Sequence, residues 1–255
     1  MHKLLVIVAA ISGMAAAHAQ FAPPPLSPVG KKIQAAMQSD IRTEQERNRD
    51  ENRLPIETLE FLGLEDDMRV VELVPGGGWY TKIIAQVLDE NGEFYVGLGT
   101  RRIGPLLEKY PGLSNVNILP VDARFVPAET VGLFELGEFS LGIEDVDLIL
   151  TFRNLHNFTV ESRPNINAAV FDALRPGGIY GVVDHTRRHN EPANPENWRR
   201  LDPVLVIKEI QDAGFEFVDF SNLHYRPDDE LRFEVGRKSV AGNTDRFTMV
   251  FRKPE

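Results

Sequence analysis

Residues 70–81 read Val-Val-Glu-Leu-Val-Pro-Gly-Gly-Gly-Trp-Tyr-Thr, an apolar run broken by one acid and closed by three glycines. Such a segment makes a buried strand, a glycine-rich turn and a helix start. Glycine lets a ligand come close to the backbone, and the helix start offers free N–H groups to a negative or polar group. Three further apolar runs end in polar pairs or clusters: Asp122-Ala123, Arg153-Asn154-Leu155-His156 and Asp184-His185. Imidazole titrates near neutrality and can take a proton from an attacking group, so His156, Asp184 and His185 are candidate catalytic residues. The plainer alternative is a loop histidine bonded to backbone. Together with His189 these side chains are also of metal-ligand type, but their spacing spans a loop and includes one carboxylate, so no metal is expected.

Several arginines follow the same runs: Arg101-Arg102, Arg153 and Arg187-Arg188. Guanidinium forks suit carboxylate or phosphate, and Arg153 and Arg187 are the expected contacts to an anionic small molecule unless they pair with neighbouring acids. The whole chain points the other way in charge, with 28 Lys and Arg against 38 Asp and Glu and a net charge of -10. That balance opposes general binding to nucleic acid or anionic lipid. With 255 residues, 42% of them hydrophobic and none of them Cys, the chain can bury a sizeable core but has no disulfide, thiol nucleophile or zinc-thiolate site.

The elements that must position these residues can be read from periodicity. Strands are expected at residues 69–74, 93–98, 116–120, 146–152 and 179–184, and helices at 80–88, 103–110 and 165–174. Most of these strands are continuously apolar, which implies burial on both faces of a parallel sheet. After Asp184 come a helix at 203–213 ending at Gly214, a strand at 215–220 and a last strand at 246–252. The fold class is therefore α/β, a doubly wound, Rossmann-like, seven-stranded and mostly parallel sheet with an antiparallel last strand.

The start of the chain reads differently. A basic Met1-His2-Lys3, an apolar stretch from Leu4 to Ile11 and Ala17-His18-Ala19 form a secretory signal over residues 1–19, too short in its apolar run to span a bilayer. Export to the periplasm or medium is expected, with no stable membrane insertion after cleavage. Residues 20–30 are Pro-rich and read as a linker, and 31–54 as a helical extension with Ile33, Ala36, Met37 and Ile41 on one face. The polar stretch to Arg53 reads as solvated. Residues 55–255 form the main domain, within which 125–145, acidic and punctuated by glycine, is either a lid or a surface insertion.

A dinucleotide site would want G-x-G-x-x-G and an acid about 20 residues on. Thr81 takes the last glycine's place, and Leu98-Gly99-Thr100 carries no acid, which weakens a nicotinamide-dependent oxidoreductase reading. The ordered series from Glu72-Leu73-Val74-Pro75-Gly76-Gly77-Gly78 through Asp122, Asn154 and His156 to Leu174-Arg175-Pro176-Gly177-Gly178 instead resembles the class I S-adenosylmethionine-dependent methyltransferases. More narrowly, PGGGWYT, RNLHN, VVDH and TDRFTMVFRKP resemble a family of exported bacterial predicted methyltransferases. The resemblance implies S-adenosylmethionine as cofactor, with Glu72, Pro75, Gly76, Gly77, Gly78 and Tyr80 along its methionine and ribose part. It places Gly99 beside the ribose, where an acid is usual, Asp122 and Ala123 at the adenine, and Asn154 and His156 at the methyl-transfer edge. S-adenosylmethionine is made in the cytoplasm, so a non-catalytic periplasmic binding protein on the same fold is the alternative.

Overall fold

The computed structural model describes residues 25–255, so the expected signal segment lies outside the described residues. Five apolar runs become parallel strands: β1 (Arg69–Leu73), β2 (Glu93–Gly97), β3 (Val116–Ile118), and, after a short ribbon of β4 (Val126–Pro127) and β5 (Phe134–Glu135), β6 (Val146–Phe152) and β7 (Leu174–His185). Two more, β8 (Glu216–Ser221) and β9 (Arg246–Arg252), complete a seven-stranded sheet in the order β3-β2-β1-β6-β7-β9-β8. β9 alone runs antiparallel to its neighbours. The expected sheet is thus present. β7 begins at Leu174, five residues earlier than the periodicity indicated, because its Gly-rich start still pairs with Val146 through a register shift.

Alternate residues of each strand feed two cores. Val71 and Leu73 of β1 and Tyr180 and Val182 of β7 face a layer that includes Ile166 and Val170 of α7 (Arg163–Ala173) and Ile210 of α8 (Pro203–Asp212). Val70 and Leu148 face the other layer, built on Ile83 and Ile84 of α5 (Thr81–Val87). Burial on both faces explains why these strands read as unbroken apolar runs.

The N-terminal segment departs from its sequence reading. α1 (Pro28–Met37) starts inside the stretch expected as linker, because Ser27 accepts a hydrogen bond from the Gly30 N–H and Pro28 fits the first helical turn. Its buried Val29, Ile33 and Ala36 join the second core beside Leu59 of α4 (Pro55–Phe61). The polar stretch that follows is not simply solvated. It forms α2 (Glu44–Arg47) and α3 (Asp50–Arg53), with Arg42 only 2% exposed and bonded to Asp50 at 2.5 Å. No helix among the described residues is long and apolar enough to cross a membrane.

Candidate active site

At the carboxyl edge of the sheet three adjacent strands end in left-handed, non-glycine residues: Val74 after β1 (φ 51°), Leu98 after β2 (φ 58°) and Arg153 after β6 (φ 61°). A β-branched residue in this region is strained, and such strain gathers where a site over-determines the backbone. Val74 is held there by its N–H, which lies 3.0 Å from Gly97 O and 3.1 Å from Leu98 O, while Asn154 Nδ2 donates to the carbonyls of Leu73 and Val74. Asn154 therefore ties the end of β6 to the glycine-rich turn.

That turn forms the floor of a cleft of about 560 Å³. Gly76 adopts φ 59°, whereas Gly77 has an ordinary φ and a Cβ built on it would meet nothing within 4 Å. Gly76, Gly77, Pro75 and Glu72 line the cleft. Gly78 serves differently: its missing Cβ makes room for Leu106 of α6 (Gly104–Lys109), so it packs the turn against a helix.

Glu72 projects from β1 into this cleft and is 3% exposed. It accepts a 2.5 Å hydrogen bond from Thr81 Oγ1, and burial pushes its carboxyl up to about 8, opposed by the Thr81 bond and the positive field of Arg53. Tyr80 is buried against Phe152, the rings stacked at 3.6 Å, and both reach the cleft wall.

The opposite wall was not legible as a site in the sequence. α2 and α3 close over the turn: Trp79 Nε1 donates to Glu46 O at 2.9 Å, Lys82 Nζ pairs with Glu46 at 2.9 Å, and the Arg53 guanidinium lies 4.3 Å from the Trp79 ring centre. The available signal was the capping box of Thr43 and Glu46, which marks a helix start in an otherwise featureless charged stretch. Arg49 and Arg53 thus join Arg102 and Arg153 around the cleft. Burial, reinforced by Arg153, lowers Arg53 to about 9, and the same two causes lower Arg246 to about 10. Burial likewise lowers Arg153.

His156, Asp184 and His185 do come together, as a buried cluster that is not part of the cleft wall. His156 Nδ1 lies 2.5 Å from Asp184 Oδ1, and Asp184 also accepts the backbone N–H groups of His156 at 3.2 Å and His185 at 2.7 Å. Because Asp184 already accepts two N–H bonds, the shared proton belongs on His156 Nδ1, which leaves Nε2 as the basic nitrogen. His185 Nδ1 is 2.9 Å from Thr244 Oγ1, and burial with the charges of nearby groups, Arg153 among them, holds it well below the usual histidine range. The three side chains offer atoms within 4.8 Å of one another that could ligate a metal. The same cationic surroundings that keep His185 neutral oppose a metal ion there. His189 is elsewhere, bonded to Asp202 at 3.0 Å.

Other expected site residues are dispersed. Asp122 is exposed and Ala123 packs on the core, neither lining the cleft. Gly99 (φ 67°) lies beneath the Phe125 ring, which stands 3.1 Å from where a Cβ would sit. The place expected to hold ribose is thus covered by the segment read as lid or insertion. Arg187 is apart from Arg153: its guanidinium donates to Arg200 O at 3.2 Å and does not reach the cleft.

A seven-stranded sheet in this order, with a glycine-rich turn after its first strand and a cleft at its carboxyl edge, is the fold of the class I methyltransferases. A SAM-dependent methyltransferase from Aquifex aeolicus superposes with a TM-score of 0.56 at 16% identity, covering 88% of this chain and 97% of that one. The [4+2]-cyclase SpnF superposes with a TM-score of 0.55 at 18% identity, covering 85% and 86%. In sequence, the chain is 30% identical over 149 residues to an uncharacterized methyltransferase of Synechocystis, and it spans 58% of that protein's length with 58% of its own. No family model matches the chain.

Proposed function

We propose that the protein is an S-adenosylmethionine-dependent methyltransferase that acts on a small anionic molecule after export to the periplasm or medium. The observation that carries this reading is the cradle beside β1: an open backbone approach at Gly77 and a buried, cleft-facing acid, Glu72. The fit to a zwitterionic, sulfonium-bearing cofactor is direct. Gly76 and Gly77 would present backbone to its methionine end, and Glu72, held neutral by burial, would release its proton to solvent and accept a hydrogen bond from the cofactor's ammonium group. When bound, this cofactor supplies a methyl group on a positively charged sulfur that leaves as a neutral thioether.

The chain's own residues would then position the two ligands. Asn154 fixes the turn from behind, and Trp79, clamped by Glu46, forms part of the cleft wall. Arg153, which lines the cleft, would hold the acceptor's negative charge, whereas His156 and Asp184, buried outside its wall, support the end of β6 from behind. A second reading, a ligand-binding protein on the same fold, is favoured by Phe125 over Gly99. Calorimetric titration with S-adenosylmethionine, S-adenosylhomocysteine and NAD separates the readings. Micromolar binding of the first two, lost in Gly77→Trp, supports the cofactor cleft; binding of none of the three by the folded protein removes it.

A further inference from the structure

The cleft holds more positive charge than a methyl donor can use. Arg49, Arg53 and Arg153 line it and Arg246 is buried behind them, and among the described residues none of the four has a carboxylate within 4.0 Å. Each is held in place by something other than an ion pair. Arg49 Nη2 donates to Gly242 O, Arg53 is stacked on Trp79 with its Nε buried and unbonded, and Arg246 Nε donates to Thr244 O. Arg153 is fixed by its left-handed backbone, whose N–H donates to Val183 O at 2.7 Å.

The nearby acids do not neutralise this group. Glu46 is paired with Lys82, Glu72 is bonded to Thr81 in a buried position that favours its neutral form, and Asp184, whose field supports the charge of Arg153, is itself bonded to His156 and to two backbone N–H groups and faces one guanidinium of the four. Several guanidiniums brought together out of water without counter-charge are costly, and such an arrangement persists where a ligand repays it. The proposed cofactor does not, because its ammonium and sulfonium outnumber its single carboxylate. One carboxylate engages one guanidinium fork and leaves the rest unmatched.

We infer that Arg49, Arg53 and Arg153, backed by Arg246, form a binding site for a doubly charged group of phosphate type on the acceptor. As an account of the acceptor this rests on the methyltransferase reading; as a binding site it does not. Two arginines come from the N-terminal segment and one from the end of β6, so the acceptor bridges the two walls of the cleft. The site also couples the two ligands, since the dianion cancels the field that a net-positive cofactor meets.

The test uses inorganic phosphate as probe, titrated at constant ionic strength into the full protein, with Trp79 fluorescence or calorimetry as readout. Arg49→Gln and Arg153→Gln should each weaken phosphate by about tenfold or more. Arg188→Gln, an exposed residue outside the cleft, should leave it unchanged, and thermal melts establish that every variant is folded. Saturating phosphate should tighten S-adenosylmethionine by about fivefold. Phosphate binding that is absent, or equal in all variants, overturns the inference, as does malonate binding more tightly than phosphate. Phosphate bound through Arg49 and Arg153 without any S-adenosylmethionine binding keeps the site and removes the proposed function; the opposite pattern does the reverse.

Discussion

Replacing Glu72 with Gln should make the protein more stable and worse at binding the proposed cofactor, S-adenosylmethionine. The carboxyl sits at about 8 in the folded state against an ordinary 4.5, through burial. A carboxyl raised in this way contributes its stability below the unfolded pKa and loses it as pH rises through the folded one. At 1.36 kcal/mol per unit, keeping Glu72 protonated costs about 1 kcal/mol at pH 5, about 3 at pH 7 and about 4 at pH 8. The neutral amide avoids that cost and its oxygen still accepts from Thr81 Oγ1, but its NH2 takes a buried place without a partner, a loss of about 1 kcal/mol, so the net gain at pH 7 is roughly 2 kcal/mol. For a domain of this size that is a rise of about 4–8 °C in Tm. Melting curves from pH 5 to 8 should show the stability difference between Glu72→Gln and the wild type growing by about 3 kcal/mol, because groups such as His224 titrate alike in both and cancel in the comparison. Calorimetry should show S-adenosylmethionine weakened by roughly tenfold to a hundredfold, the worth of a hydrogen bond to a charged group. A difference between the two proteins that does not grow as pH rises from 5 to 8 would refute the argument that Glu72 is held neutral by burial.

Gly77→Ala should leave stability unchanged or raise it by the few tenths to about 1 kcal/mol expected of a compatible site, whereas Gly76→Ala, forced into φ 59°, should cost about 1–2 kcal/mol; paired urea melts compare them. His224 is fully buried between Thr248 and the Arg53 carbonyl, and burial lowers it to about 4. Its stability is present above about 6.5 and lost as pH falls towards 4, about 2–3 kcal/mol by pH 4.5, so His224→Gln should reduce the acid-side slope of the urea midpoint. Asp229→Ala would strand Arg200, which is 0% exposed and bonded to Asp229 at 2.9 Å, at a cost of about 3–5 kcal/mol measurable by chemical denaturation.

Much of the architecture was legible because burial on both faces writes itself into a strand as an unbroken apolar run. β6 and β9 carry the expected bounds, and β1 and β2 fall within one residue of them. Part of the site was legible for a related reason: Glu72, Pro75, Gly76 and Gly77 lie on one strand and its turn, so their proximity is local and survives in the sequence as adjacency. His156, Asp184 and His185 were found as residue types after strands, and their meeting follows from β6 and β7 being neighbours in a parallel sheet.

What the sequence could not convey is which distant groups share a wall. Arg153 and Arg187 look equivalent as arginines after strands, yet one ends in the cleft and the other on the Arg200 carbonyl. Arg49 and Arg53 look like members of a solvated charged stretch, and only the docking of α2 and α3 over Trp79 brings them to the site. Phe125 gives no local sign that its ring covers Gly99. Periodicity and turn chemistry are short-range and act through the chain's own backbone, so sequence by itself determined the sheet, its twofold covering and the glycine cradle. Charge has no such period, and the location of an arginine's head group depends on which surface its helix or loop is packed against, so the tertiary structure alone decided which arginines face the cleft.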